Sequence, residues 1–161
     1  MQPLLIGLQV FVMYVFLSSL LGLVFGSFIA AFTYRYERNL DFVGGRSYCD
    51  NCKKNLRWYD NIPLLSFALY LGKSRCCGKS ISYRYPLIEL TCAIGFYLIG
   101  LNAVNLLLFM VMLSIFVIDI ETQIIPDELV WISLAISIYN LQFTISNQFT
   151  IYNLLFSGFL M

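Results

Sequence analysis

Apolar stretches fill most of the chain on either side of one polar segment. Residues 3–34 carry no charge, and they exceed the ~20 residues that an α-helix needs to cross a bilayer. Further apolar runs cover 87–101, 106–118 and 127–141, and a last one begins near residue 151, within a polar turn at 142–153. Because the last run is too short to cross a bilayer, the pattern predicts an α-helical polytopic membrane protein with about four complete transmembrane helices and a truncated fifth.

The polar segment, residues 35–84, holds all ten Lys and Arg of the chain and four acids, which gives it a net charge of +6. Because basic loops stay in the cytoplasm, this bias places the segment inside the cell and the N-terminus outside the cytoplasm. We therefore predict a first transmembrane helix at 1–34, a cytoplasmic domain at 35–84 and a transmembrane helical region at 85–161. A nucleic-acid partner is not predicted, since topology explains the basic residues more simply.

Four cysteines lie in the polar segment. Cys49 and Cys52 form a C-x-x-C pair, whereas Cys76 and Cys77 are adjacent. In a reducing compartment, two such pairs favour a tetrahedral zinc site over disulfides. A structural zinc ion would also help this small domain, which we expect to be zinc-ribbon-like, to fold. Because adjacent side chains tend to diverge, a partial or absent metal site and a redox C-x-x-C pair remain as alternatives.

Four acids follow the uncharged run at 105–118, namely Asp119, Glu121, Asp127 and Glu128. Ionisable groups at a membrane boundary are costly, and they therefore indicate a functional site. The residues by themselves favour a solvated acid at a helix end for Asp119. Acids in the first turn of a helix complement its dipole, which accounts for Asp127 and Glu128 without any catalytic role.

Four separated stretches are similar, in chain order, to motifs of one protein family. They are residues 22–35 (GLVFGSFIAAFTYR), 61–66 (NIPLLS), 81–89 (ISYRYPLIE) and 119–127 (DIETQIIPD). Together they resemble the bacterial type IV prepilin leader peptidases, membrane aspartic proteases that in many members also methylate the processed pilin. Ala30 stands where the family usually has Asn, and Phe67 replaces a usual Trp. Gly22 and Gly26 are small residues at helical spacing, which predicts the close approach of another helix.

The resemblance implies that Asp119 is one of two catalytic aspartates. The family's second aspartate lies in a G-x-G-D motif that this sequence lacks, so the chain resembles roughly the first two thirds of the family and is expected to be inactive alone. Asp127 is interpreted as a local partner of Asp119, as a helix-start or site-shaping residue, or as a consequence of topology alone. Glu89 is expected to pair with Arg84, with a role in orienting substrate as the alternative. The second C-x-x-C pair of the family is interpreted as having lost its two intervening residues here.

The resemblance also implies a function, the cleavage of the basic leader of type IV prepilins or pseudopilins at the cytoplasmic face of the bacterial inner membrane. This reaction serves type IV pilus assembly and type II secretion. Methylation of the new N-terminus would require S-adenosylmethionine, but no Gly-rich nucleotide loop identifies cofactor-binding residues in this sequence. The implied partners are the prepilin or pseudopilin and the lipid bilayer. The alternative is a non-enzymatic, membrane-anchored zinc-binding module that docks a pilus or secretion component.

Overall fold

The computed structural model describes residues 2–40, 48–49, 51–57, 60 and 62–158, with side chains between residues 6 and 146. The α-helices are α1 (Gln2–Glu37), α2 (Leu65–Leu69), α3 (Arg84–Ile99), α4 (Ala103–Thr122) and α5 (Asp127–Gly158). No β-strand occurs among the described residues. The prediction of a mostly helical protein is confirmed.

Three helices are long and apolar enough to cross a membrane, over Ile6–Glu37 in α1, Ala103–Thr122 in α4 and Asp127–Ser146 in α5. Large apolar side chains such as Phe16, Phe116 and Trp131 are exposed on their surfaces, as expected for helices that face lipid. The chain is therefore a membrane protein. α3 has 16 residues, which span about 24 Å of helix, against a hydrocarbon core of about 30 Å. A complete span at α3 remains a prediction.

The fifth helix expected from the sequence is not a separate element. α5 runs without a break from Asp127 to Gly158 and includes residues 142–153, where polar residues had predicted a turn. That region contains neither Gly nor Pro, and polar side chains alone do not remove the backbone hydrogen bonds of a helix. The predictions of a turn there and of a truncated fifth helix are wrong.

α1 packs against α3, and two glycines of α1 allow the close approach. A Cβ atom on Gly22 would lie 2.6 Å from the Cα atom of Ala93, and a Cβ atom on Gly26 would lie 2.7 Å from the Cα atom of Glu89. Only glycine leaves room for a neighbouring backbone at these distances, so the prediction drawn from the small residues is confirmed. The core cluster around this contact consists of Ile29, Ala30, Ile88, Cys92, Phe96, Leu106, Leu113 and Val117.

α4 continues beyond the uncharged run that predicted it and ends at Thr122. Gln123 then adopts a left-handed conformation with φ of 54°, and its backbone N–H donates to the carbonyl of Asp119. Pro126 follows, and α5 begins at the next residue. Asp119 therefore lies in the last turn of α4, and the other acids of this region lie on either side of one tight turn.

Between α1 and α3, the described residues outside α2 form turns. Two isolated antiparallel bridges pair Tyr48 with Asn55 and Lys73 with Ser80. Each bridge closes a turn that carries two of the four cysteines of the polar segment. Asn61, part of the resemblance described above, lies outside the described residues. This arrangement gives the cysteine-bearing segment a defined local geometry.

Candidate functional site

The two bridged turns bring the four predicted metal ligands together. The sulfur atoms of Cys49, Cys52, Cys76 and Cys77 all lie within 4.8 Å of one another. The Cys49 and Cys77 sulfurs are 3.8 Å apart, and the Cys52 and Cys76 sulfurs are 3.0 Å apart. Zinc–sulfur bonds of about 2.3 Å at tetrahedral angles place sulfur atoms about 3.8 Å apart. The cluster could therefore hold a metal ion, although the adjacent cysteines made this uncertain from the sequence.

Backbone hydrogen bonds show which residues of the two turns correspond. In the first turn, the N–H of Cys49 donates to the carbonyl of Lys54 at 2.9 Å. In the second turn, the N–H of Ser74 donates to the carbonyl of Lys79 at 2.7 Å. Each donor directly follows the first residue of its bridge, and the two turns have the same length. Ser74 therefore occupies in the second turn the position that Cys49 occupies in the first.

The C-x-x-C spacing of the second turn is thus retained as Ser74-Arg75-Cys76-Cys77, with a serine at its first position. Cys77 corresponds to Cys52, and Cys76 stands one position earlier. This geometry corrects the interpretation that two intervening residues were lost. Cys76 brings a fourth sulfur to the cluster from a position that carries no ligand in the first turn.

Ser74 is buried, and its hydroxyl oxygen lies 3.3 Å from the Cys49 sulfur and 3.1 Å from the Cys76 sulfur. Burial by itself raises the pKa of Cys49, but hydrogen bonds from the Ser74 hydroxyl and from backbone N–H groups outweigh it and lower the pKa to about 6. A hydrogen bond with Cys52 raises the pKa of Cys76 to about 12. Because zinc binds thiolates, the lowered pKa of Cys49 favours metal binding.

Asp119, the predicted catalytic residue, is exposed in the last turn of α4. Asp127 and Glu128 are exposed in the first turn of α5, and Glu128 hydrogen-bonds the hydroxyl of Tyr36 on α1. Within the described part of the chain, no side-chain hydrogen bond joins Asp119 to Asp127. The local pair of these two aspartates remains a prediction that no contact supports.

Arg84 connects the ends of three helices near these acids. Its Nη2 donates to Thr33 Oγ1 at 2.7 Å and to Glu37 Oε1 at 2.9 Å on α1. Its Nε lies 2.7 Å from Glu121 Oε1 on α4. The sequence interpretation paired Arg84 with Glu89, and the structure corrects it. Glu37 and Glu121 were missed because no spacing in the sequence relates the ends of α1 and α4 to the start of α3.

Glu89 is buried instead between α1 and the residues just before α2, with 7% of its surface exposed. Its Oε2 accepts a hydrogen bond from the N–H of Leu64 at 2.7 Å, and the Ser27 side chain also hydrogen-bonds it. A cavity of about 480 Å³ lies beside it, lined by α1, the polar segment and the first turns of α3. The sequence did not indicate this cavity, because its walls come from parts of the chain that are far apart.

Comparison with known proteins shows which family this chain resembles. The family model described as Bacterial Peptidase A24 N-terminal domain matches residues 20–103. The prepilin leader peptidase/N-methyltransferase of Klebsiella pneumoniae is 38% identical over 129 residues, which cover 72% of this chain and 55% of that protein. The protein of the same name from Vibrio cholerae is 33% identical over 133 residues, which cover 73% of this chain and 53% of that protein.

A third relative with this name, from Neisseria gonorrhoeae, is 30% identical over 160 residues, which cover 78% of this chain and 55% of that protein. The chain spans about half the length of the curated relatives it matches. No solved structure matches it. The matched residues 20–103 include the four cysteines, Arg84 and Glu89. The resemblance seen in the sequence motifs is confirmed, and the chain belongs to the bacterial peptidase A24 family of prepilin leader peptidases, whose N-terminal domain it contains.

Proposed function

We propose that this chain is the N-terminal region of a prepilin leader peptidase in which Asp119 is one of two catalytic carboxylates. The observation that carries the proposal is the position of Asp119. It is exposed in the last turn of a helix long enough to cross a membrane, two residues before the Glu121 that pairs with Arg84. An acid held at this place can reach a peptide bond that lies at the membrane boundary.

Aspartic proteolysis needs two carboxylates that share one proton, because two neighbouring like charges do not ionise together readily. One carboxylate takes a proton from the attacking water, and the other donates a proton toward the peptide carbonyl. Asp119 supplies one of them. The second is Asp127 or, as the family resemblance implies, an aspartate of a G-x-G-D motif outside this sequence.

The ion pairs of Arg84 give Asp119 a fixed orientation in this proposal. Glu121 lies two residues after Asp119, which is about 200° around an α-helix. The Glu121 side chain turns toward Arg84, so Asp119 lies on nearly the opposite side of α4. Arg84 thereby limits the rotation of the end of α4, and the carboxyl group of Asp119 remains accessible to substrate.

We also propose that the polar segment and Asp119 lie at the cytoplasmic face of the bacterial inner membrane. The net charge of +6 in residues 35–84 supports this orientation. A prepilin or pseudopilin carries a basic leader before an apolar helix, so its cleavage site would meet the exposed Asp119 and Asp127 at the membrane boundary. Their negative charge would attract the basic leader. The reaction would serve pilus assembly or type II secretion.

The proposed metal is one structural zinc ion held by Cys49, Cys52, Cys76 and Cys77. Four sulfur ligands select zinc over hard ions such as magnesium, and the 3.8 Å between the Cys49 and Cys77 sulfurs suits a tetrahedral site. A bound ion would fix the two bridged turns relative to each other. Because Tyr48, Cys49 and Ser74 also line the cavity, the ion would stabilise one of its walls.

The test joins this chain to the region of the Klebsiella pneumoniae relative that lies beyond its match. The chimera is produced in bacteria that lack a prepilin peptidase, and prepilin cleavage is followed by the change in electrophoretic mobility. Asp119→Asn should lower the cleavage rate by at least about a thousandfold, because the remaining carboxyl group cannot act as both acid and base. Glu128→Gln, which changes a nearby acid at the start of α5, should leave the rate unchanged.

The assignment of Asp119 fails if the Asp119→Asn chimera cleaves like its parent. A parent chimera that binds prepilin and zinc without cleavage, and whose binding ignores Asp119→Asn, would favour the non-enzymatic docking module instead.

A further inference from the structure

The short helix α2 has one side toward the protein and another side away from it. Ser66, Phe67 and Tyr70, which follows the helix, line the cavity described above. Leu65 and Leu69 are one helical turn apart, so they share the other side of α2, and both are exposed. Exposed leucines that lie together on one face indicate a contact with a membrane or with another protein.

The contacts of Leu64, the residue before α2, show how deep this helix lies among the membrane helices. Its N–H donates to the Glu89 carboxylate at 2.7 Å, and the Glu89 backbone lies against Gly26 of α1. Gly26 is eight residues inside the uncharged run of α1, which ends at residue 34, and this corresponds to about 12 Å of helix. α2 therefore begins beside the apolar part of α1 and not beyond its end.

Ion pairs mark the polar end of the same helices. Arg84 pairs with Glu37 at 2.9 Å and with Glu121 at 2.7 Å, and such charges belong at the membrane boundary. Glu89 is five residues further along α3, about 8 Å deeper, and interfacial segments reach a depth of about 5–10 Å. Backbone polar groups at membrane depth need a partner within the protein. The Glu89 carboxylate is that partner for the N–H of Leu64.

The exposed side of α2 continues into the exposed face of α3. Leu87, Leu90 and Ile94 are exposed, and their spacing places them on one side of that helix. Tyr83 is one turn before Leu87 and is 77% exposed, and its ring packs edge-on against Phe67 of α2 with 5.5 Å between the centroids. Tyrosine is enriched at membrane interfaces. One apolar surface therefore extends from α3 through Tyr83 to α2.

We propose that α2 is embedded in the boundary layer of the lipid bilayer, with Leu65 and Leu69 in contact with acyl chains. The bilayer is the partner that the depth of α2 favours, because it surrounds the apolar part of α1 at the same level. Glu89 is then a positioning residue that holds the start of α2 at this depth. The polar segment thus contacts the membrane through α2 as well as through the ends of α1 and α3.

The test measures how close side chains of α2 come to lipid. Trp58 and Trp131, the two tryptophans of the chain, are replaced by Phe, and Leu65→Trp or Leu69→Trp then supplies a single tryptophan. The protein is placed in phosphatidylcholine vesicles whose acyl chains are brominated near the headgroup end, or carry no bromine. Bromine quenches tryptophan only at close range, so each variant should lose about half of its fluorescence, as expected for a side chain at interfacial depth.

Lys79→Trp is the matched control for these two variants. Lys79 is exposed in the second cysteine turn, where no apolar surface surrounds it, and its variant should lose less than about a tenth of its fluorescence. The proposal is overturned if neither Leu65→Trp nor Leu69→Trp, in protein with the helix content of the parent by circular dichroism, is quenched more than Lys79→Trp. Either position suffices for the test if the other variant does not fold.

The role of Glu89 is tested in the Leu65→Trp background. Glu89→Ala removes the acceptor for the N–H of Leu64 and should lower the quenching by about twofold or more, whereas Glu89→Gln keeps an acceptor oxygen and should restore it. Equal quenching in both variants would overturn the positioning role.

The chimera with the Klebsiella pneumoniae relative separates lipid from a protein partner. We expect Leu65→Trp and Leu69→Trp to be quenched in the chimera as they are in the chain. Protection of both positions in the chimera would show that protein covers α2, and it would overturn the proposal. No substrate is present in these measurements, so their outcome does not depend on Asp119 or on peptidase activity.

Discussion

Ser74 is the residue that distinguishes the two cysteine turns. It occupies the position of Cys49 in the second turn, and its hydroxyl oxygen lies within 3.3 Å of the sulfurs of Cys49 and Cys76. A thiolate is a far better zinc ligand than an alcohol, so the fourth ligand has to come from Cys76. The Cys52 and Cys76 sulfurs, 3.0 Å apart, are closer than the roughly 3.8 Å of a regular tetrahedral site. We attribute this short spacing to the shifted position of Cys76.

A double substitution, Ser74→Cys with Cys76→Ser, should make the two turns equivalent. Each would then carry an ordinary C-x-x-C pair, and the shifted sulfur of Cys76 would be removed. We expect zinc affinity to rise by about tenfold or more, a free-energy gain of about 1.4 kcal/mol, measured by competition with a chromophoric chelator. Cys76→Ser alone serves as the control and should lower the affinity. A double variant that binds zinc more weakly than the parent would contradict the assigned register.

Glu89 and Asp119 differ in how much the sequence alone reveals about their roles and partners. Asp119 was identified through a motif whose residues are adjacent in the chain. The partners of Glu89 were not predicted, because Leu64 lies 25 positions away and donates through its backbone. A side chain that bonds a distant backbone N–H leaves no pattern in its own neighbourhood.

At the scale of elements, the contact between α1 and α3 determines where Glu89 and the cavity lie. The two helices approach closely enough that their backbones touch at Gly22 and Gly26. Because of this close approach, the Ser27 side chain hydrogen-bonds Glu89, and Arg84 donates a hydrogen bond to Thr33. The geometry around Glu89 and Arg84 therefore depends on two glycines, which have no functional side chain of their own.

Gly26→Ala should destabilise the protein by about 1–3 kcal/mol, the usual cost of overpacking a well-packed contact. The added methyl group would lie 2.7 Å from the Cα atom of Glu89, so the two helices must separate. Gly7→Ala is the matched control, because nothing lies within 4 Å of a Cβ atom there and alanine favours the helix. Unfolding in mixed detergent micelles, followed by circular dichroism, measures both variants. Equal stability of Gly26→Ala and Gly7→Ala would contradict this account.

α5 illustrates the limit of reading elements from polarity. The polar residues at 142–153 predicted a break, yet α5 runs from Asp127 to Gly158. A helix ends where backbone hydrogen bonds fail, as they do around Pro126, and polar side chains alone do not cause that. The break between α4 and α5 runs from Gln123 to Pro126, and it includes the proline that the sequence contains.

At the scale of the whole molecule, all basic side chains belong to residues 35–84, from the last turn of α1 to the first residue of α3. The ion pairs of the half-buried Arg84 with Glu37 and Glu121 join α1, α3 and α4 at that end. Removing one partner of such an ion pair leaves the other charge partly buried and unpaired, which costs free energy of folding. At the end of the bundle that carries the charges, Arg84 therefore links three helices.

The proposed orientation predicts which loops a reagent can reach. Asn102→Cys, between α3 and α4, should react with a membrane-impermeant maleimide added outside intact spheroplasts. Ile124→Cys, between α4 and α5, should react only after the membrane is opened, because α4 separates the two positions. Labelling of Ile124→Cys from outside would reverse the orientation. Labelling of both positions from the same side would show that α4 does not cross the bilayer.

By itself, the sequence determined the membrane helices at α1, α4 and the start of α5, the polar segment between the first two, the four cysteines and the place of Asp119. Helix length, lack of charge and motif spacing are local properties, so a single chain read in order reveals them. Only the tertiary structure decided that Ser74 takes a cysteine position, that Arg84 pairs with Glu37 and Glu121, and that a cavity opens beside Glu89. These features depend on how distant backbone segments approach one another, and a local pattern cannot specify that approach.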